Sequence, residues 1–193
     1  MLVTGCANKD FPVLEEFRQV TAEARKPLNA SLHSLEKVSA ATAPYSPRLV
    51  AAFGRDVQRL EVESIKVRSR VQAILARGDA YFADWSENIA QVKSAKIRER
   101  AERFHPQLEQ SFGRIKTASQ RAGLSFQPYL TALREMRQKL EAKPEELGTD
   151  AAKQSFGKTH DNGQKVVREL DNINSELRAI HTMLTTGRAE PKP

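Results

Sequence analysis

Residues 46–92 read SPRLVAAFGRDVQRLEVESIKVRSRVQAILARGDAYFADWSENIAQV. Apolar or small residues fall at Leu49, Phe53, Val57, Leu60, Ser64, Val67, Val71, Ile74, Gly78, Phe82, Trp85, Ile89 and Val92, always three or four apart. That spacing keeps one face of a helix apolar for about six heptads. Ser46 is suited to accept a hydrogen bond from the first turn as an N-cap, and Pro47 fits the first helical position, where its missing N–H costs nothing. The stretch predicts one helix over 46–92, roughly 70 Å long at 1.5 Å per residue.

The same spacing continues outward on both sides. Downstream, Ile97, Ala101, Phe104, Leu108, Phe112, Ile115, Ser119 and Ala122 lead in register to Phe126, Tyr129, Leu133, Met136 and Leu140. Pro106 removes a donor within this run, and Gly123, Ser125 and Pro128 could end one helix and cap another. The unbroken register favours one kinked helix over 94–143 rather than two. The short join Val92-Lys93-Ser94 predicts that the two long arms form an antiparallel hairpin. Upstream, Leu14, Phe17, Ala24, Leu28, Leu32 and Leu35 mark a helix over 12–42 with Pro27 inside it. The last seam runs Phe156, Thr159, Gly163, Val166, Leu170, Ile173, Leu177, Ile180 and Leu184. Gly157 and Gly163 within it each cost about 1 kcal/mol against alanine, so this end is expected to fray more readily. No strand-like alternation appears. The fold expected is all-α, an elongated antiparallel, coiled-coil-like bundle built on a long central helical hairpin.

Composition agrees. The 193 residues suit one domain, assigned to 12–186, preceded by a tether at 1–11 and followed by a disordered tail at 187–193. Twelve aromatic side chains are few for a thick globular core, whereas narrow seams of Leu, Ile, Val and Ala suffice for a thin bundle. No run approaches the ~18 apolar residues of a membrane span.

The chain offers little catalytic chemistry. His33, His105, His160 and His181 lie in separate segments without the i, i+4 pairing of a helical zinc site. Glu61 and Glu63 face different sides of their helix, and paired acid and base carboxylates need a shared desolvated pocket. Gly157-Lys158-Thr159 ends like a phosphate-binding loop, but position 152 is Ala where that motif needs its first glycine, and no strand precedes it. No enzyme, cofactor or metal site is expected.

Two surface features remain as candidate sites. Tyr81, Phe82 and Trp85 form the one aromatic concentration; Phe82 and Trp85 fall on the seam, expected to pack opposite Phe104 or a neighbour. Tyr81 and Trp85 are also residue types suited to a partner surface. The net charge of +7 is uneven: residues 93–123 hold eight Lys or Arg against three Glu. Lys93, Lys96, Arg98, Arg100 and Arg103 would form a basic surface at the hairpin tip for an anionic partner, either an acidic envelope protein or lipid headgroups. Basic charge alone would also permit nucleic acid, although the segment lacks readout motifs. The exposed length of the seams leaves homo-oligomerisation open.

The stretch Arg77-Gly78-Asp79-Ala80-Tyr81-Phe82-Ala83-Asp84-Trp85, followed by an Arg- and Glu-rich helix, resembles an uncharacterised family of bacterial helical lipoproteins over roughly residues 12–185. That family has no established activity to transfer. Leu2-Val3-Thr4-Gly5-Cys6 resembles the lipobox of bacterial lipoproteins, which would make Cys6 the lipid attachment site. A signal needs a basic region and about 7–15 apolar residues before its cleavage point, so the true start is expected upstream of Met1. With Ala7 following the cysteine, the resemblance implies a periplasmic protein anchored in the outer membrane. A helical rod would then carry the basic tip away from its anchor. The alternative is a cytoplasmic helical protein binding nucleic acid or an acidic protein through 93–123.

Overall fold

A computed structural model describes residues 10–42, 44–89 and 91–186, with the backbone alone described at 10–12, 97, 100, 146, 185 and 186. Cys6, most of the tether and the tail at 187–193 lie outside the described residues. Four helices run Asp10–Ala40 (α1), Pro47–Ile89 (α2), Ala95–Ala142 (α3) and Asp150–Thr186 (α4), with a 3-10 turn at Pro144–Gly148 before α4. The expected boundaries hold to within two or three residues. Ser46 caps α2 as its position predicts, its Oγ accepting from Leu49 N–H at 3.2 Å. Thr149 does the same for α4 through Ala152 N–H at 3.2 Å. At its far end α2 stops at Ile89 rather than 92, because Gln91 and Val92 bond back three residues to Asn88 and Ile89 and tighten the chain into a turn.

The segment 94–143 is one helix, with Pro106 and Pro128 inside it. Each proline removes a backbone bond, but buried side chains flank both: Leu108 and Phe112 after the first, Tyr129, Leu130 and Leu133 after the second. Burial of a large apolar side chain stabilises by roughly 1.5–3 kcal/mol, enough to hold the register across a missing bond.

Consecutive helices are antiparallel neighbours, and α1 closes the ring against α4. The core is a continuous column that includes Phe17, Leu28 and Leu35 of α1, Phe53 and Ile74 of α2, Ile115 and Leu133 of α3, and Ile173 and Leu177 of α4. Two glycines on the predicted seams are close-packing sites. A Cβ on Gly163 would lie 2.6 Å from Leu32 Cδ2 and 2.9 Å from Tyr129 Cε2, and one on Gly78 would lie 2.2 Å from Phe112 Cζ. Tyr129 of α3 thus sits over Gly163 of α4, and its hydroxyl is 2.8 Å from Ser31 Oγ of α1. Ser31 already donates to the Leu28 carbonyl at 2.8 Å, which leaves the phenol as donor in the pair.

Burial is not even along the seams. On α2, Ser64, Val67 and Val71 are only half-buried, and so are Ser119, Ala122 and Phe126 opposite them on α3. Small side chains on both facing helices leave an apolar cavity of about 300 Å³, bounded also by Phe17, Val20 and Leu28 of α1 and by Val166 and Leu170 of α4. A second apolar cavity of about 230 Å³ lies nearer the hairpin tip among Leu14, Ile74, Leu108 and Leu177, and Phe17 lines both.

Two outcomes are expected. Gly163→Ala should destabilise by about 1–3 kcal/mol through overpacking against a buried, hydrogen-bonded tyrosine, while Gly157→Ala, where an added Cβ meets nothing within 4 Å, should stabilise by about 0.5–1 kcal/mol. Urea unfolding of the two variants reads the opposite signs. Burial also pushes the Tyr129 phenol far above its ordinary value, with the Glu36 charge adding to the rise. The unfolded phenol loses its proton near pH 10 while the folded one keeps it, so stability falls by about 1.4 kcal/mol per pH unit above that point. Tyr129→Phe should lower stability at neutral pH and flatten this alkaline slope.

Candidate functional site at the hairpin tip

Ion pairs fix the level of each helix. Glu16 of α1 meets Arg77 of α2 at 2.5 Å, so Asp10 stands level with about residue 83. Arg114 of α3 holds both carboxylate oxygens of Glu176 on α4, at 2.7 and 2.9 Å, which sets Thr186 level with about residue 104. The end of α2 and the first turns of α3 therefore project past the described ends of α1 and α4, by about 13 Å on α3 at 1.5 Å per residue. The Arg114 guanidinium also holds the Glu176 carboxyl below the usual carboxylate range.

Aromatic contacts brace the projection. Phe82 tilts onto Phe112 at 5.3 Å between ring centroids, and Phe112 in turn fills the space over Gly78. His105 receives Phe82 and Trp85 edge-on, at 5.7 and 5.1 Å. The partners of the aromatic run are thus His105 and Phe112 rather than Phe104. Edge-to-face pairs of this kind contribute about 0.5–1.5 kcal/mol each beyond their buried area. His105 keeps only 16% of its side chain exposed. Its Nδ1 lies 3.8 Å from Glu109, and its buried Nε2 has no hydrogen-bond partner among the described residues. Tyr81 packs edge-on to both Phe82 and Trp85 and remains 37% exposed.

The five basic residues do not act as one surface. Arg98 turns back, its Nε and Nη2 donating to the Val92 carbonyl at 3.2 and 2.8 Å. It closes the α2–α3 turn and is withdrawn from the expected patch. Arg103 pairs with Glu99 at 3.3 Å, both largely exposed, a contact that contributes little in water. Lys93 and Lys96 are exposed on the tip, Lys96 with an interaction of its own, and the Arg100 side chain lies outside the described residues. Further along 93–123, Arg114 and Lys116 are engaged with Glu176 and Asp79.

The direction of the tip also differs from expectation. Because α1 starts level with residue 83, the N-terminal segment joins the bundle at the end that bears the hairpin turn. The four residues from Cys6 to Asp10 reach at most about 14 Å, so an anchor there would lie beside the basic tip, not at the far end of a rod.

One charged position escaped the sequence reading. The open side of the larger cavity lies between α2 and α3, a seam held by Glu61–Arg134 at 2.5 Å and Asp79–Lys116 at 2.7 Å. Arg68, one heptad after Glu61 on the same side, borders the cavity between these pairs and has no ion pair or hydrogen bond among the described residues.

Among the described residues no three His, Cys, Asp or Glu side chains converge on a point where a metal could bind, and no helix is long and apolar enough to cross a membrane. Gly157-Lys158-Thr159 lies inside α4, where Thr159 donates to the Ser155 carbonyl at 2.7 Å. Fold and site together define an antiparallel four-helix bundle whose central hairpin ends in an aromatic-braced basic turn. The chain belongs to the family described as "Protein of unknown function (DUF2959)", which it matches over residues 5–176. No curated protein and no solved structure matches it.

Arg98→Gln should free the Val92 carbonyl and loosen the turn. Backbone amide exchange at Gln91 and Val92 is expected to rise on the order of tenfold, since charge-assisted bonds are worth about 1.5–3 kcal/mol. Lys93→Gln should leave those rates unchanged.

Proposed function

We propose that this protein is a non-enzymatic helical scaffold or adaptor of the bacterial cell envelope, lipidated at Cys6, anchored in the outer membrane on its periplasmic side, with its hairpin tip against anionic headgroups of that same membrane. The observation that carries the reading is the common end shared by the start of α1 and the α2–α3 turn. An acyl anchor and a basic surface at one end reinforce each other, as the two signals that stable membrane attachment commonly uses. Lys93 and Lys96 contribute about 1 kcal/mol each near an anionic surface, enough to orient an anchored bundle and to give an unanchored one a weak preference for anionic vesicles. The braced tip would keep the bundle off the membrane and leave its long faces for a protein partner.

Nucleic-acid binding draws less support. Arg98, Arg103, Arg114 and Lys116 each engage a group of the chain itself, which reduces the charge that 93–123 offers to a polyanion.

The test is metabolic palmitate labelling and membrane fractionation of the protein expressed from its native locus, beside Cys6→Ser. Label and membrane association are expected to vanish with the sulfur; an unlabelled, non-membrane product in both would sink the anchor. Separately, the full Cys6→Ser chain should sediment with phosphatidylglycerol vesicles in preference to phosphatidylcholine ones, and Lys93→Glu with Lys96→Glu should remove the preference. Equal sedimentation with both lipids would overturn the headgroup contact.

A further inference from the structure

The larger cavity has features that packing alone does not require. Its walls are almost wholly apolar, and it runs along α2 from Leu60 to Leu75, roughly 22 Å at 1.5 Å per residue. At about 300 Å³ it holds twice the ~150 Å³ that admits a benzene ring, and a space so lined offers water few hydrogen-bond partners. A long, narrow, apolar volume fits a flexible hydrocarbon chain better than a fused ring system. The smaller cavity shares Phe17 as a wall and lies nearer the tip.

The open side supplies the polar end. Along the α2–α3 seam, acids on α2 meet bases on α3 above and below the cavity, at Glu61–Arg134 and Asp79–Lys116. Arg68 interrupts this alternation. It lies on the α2 side, and the α3 residues bordering the cavity, among them Gln120 and Gly123, include no acid. A guanidinium at the mouth of an apolar cavity, with no carboxylate to meet it among the described residues, is matched by an anionic head whose tail lies inside. Glu63 also borders the cavity and is engaged by Lys66 at 3.0 Å; its charge disfavours a doubly charged head and so selects a monoanion.

We propose that the cavity between α2 and α3 binds a single-chain fatty acid, with the alkyl chain among Val67, Val71, Phe126 and Leu170 and the carboxylate on Arg68. The site is independent of the tip and of the lipid on Cys6, and its test does not use either.

The experiment is calorimetric titration of the delipidated full chain with dodecanoate below its micellar concentration, beside dodecanol. Saturable one-to-one binding of dodecanoate is expected, with dodecanol and the Arg68→Ala variant each weaker by on the order of tenfold, the size of one lost charge-assisted contact. Arg68→Lys should recover part of the loss. Gly123→Leu places a side chain in open space at the mouth, where an added Cβ meets nothing within 4 Å, and replaces a poor helix former by a good one. It should fold at least as stably as the parent and bind no dodecanoate. Absence of saturable binding, unchanged affinity in Gly123→Leu, or equal affinity for dodecanol would each overturn the proposal. So would a parent dimer that Gly123→Leu dissociates, because the mouth would then belong to a second copy of the chain.

Discussion

The bundle depends on how Tyr129 is seated. Its ring rests where Gly163 has no side chain, and its hydroxyl reaches across the core to Ser31, so one residue of α3 fixes the approach of α4 and the register of α1 together. A tyrosine buried this deeply would be costly without a hydrogen-bond partner. Ser31 supplies one only when α1 and α3 stand in the observed register, and sliding either helix by a turn would strand the phenol. The apolar seams permit several registers of similar burial; this polar contact selects among them.

A second aromatic seat, Phe112 over Gly78, joins α3 to α2 on the tip side. The two seats bracket the stretch of α3 from Ser119 to Phe126, where the facing residues of α2 are Ser64, Val67 and Val71. Helices drawn close at two points, with small side chains between them, leave a space that neither backbone can close without losing a seat. The cavity thus follows from the packing at its two ends.

The seams of all four helices were legible because burial against neighbours imposes spacings of three and four whatever those neighbours are. Ser46, Pro47 and the single helix through Pro106 and Pro128 were legible for the same local reasons. Depth of burial was not, since Ser64 and Gly78 occupy equivalent seam positions yet one borders a void and the other touches a ring. Gly163, read as a weakness of the last helix, is a point of closest approach, a property that belongs to the pair of helices and not to either sequence. At the tip, spacing placed Phe82 and Trp85 inward but named neither His105 nor Phe112 as their partners. Net charge marked 93–103 as basic without disclosing that Arg98 is consumed by its own turn. Arg68 carried no signal at all: in an arginine-rich helix, its distinction lies only in what the opposite helix lacks.

The polarity of the bundle constrains function more than its charge does. With four antiparallel helices the chain must enter and leave at one end, and the α2–α3 turn lies at that same end while the α1–α2 and α3–α4 connections share the other. Any attachment made through the N-terminal segment therefore brings the basic turn to the attachment surface and presents the opposite end, with Tyr45 and Pro144 in its connections, furthest from it. In such an orientation the cavity, midway along the axis and open between α2 and α3, faces sideways. An amphiphile entering it would cross a polar seam already held by two ion pairs, and Arg68 stands in the gap between them.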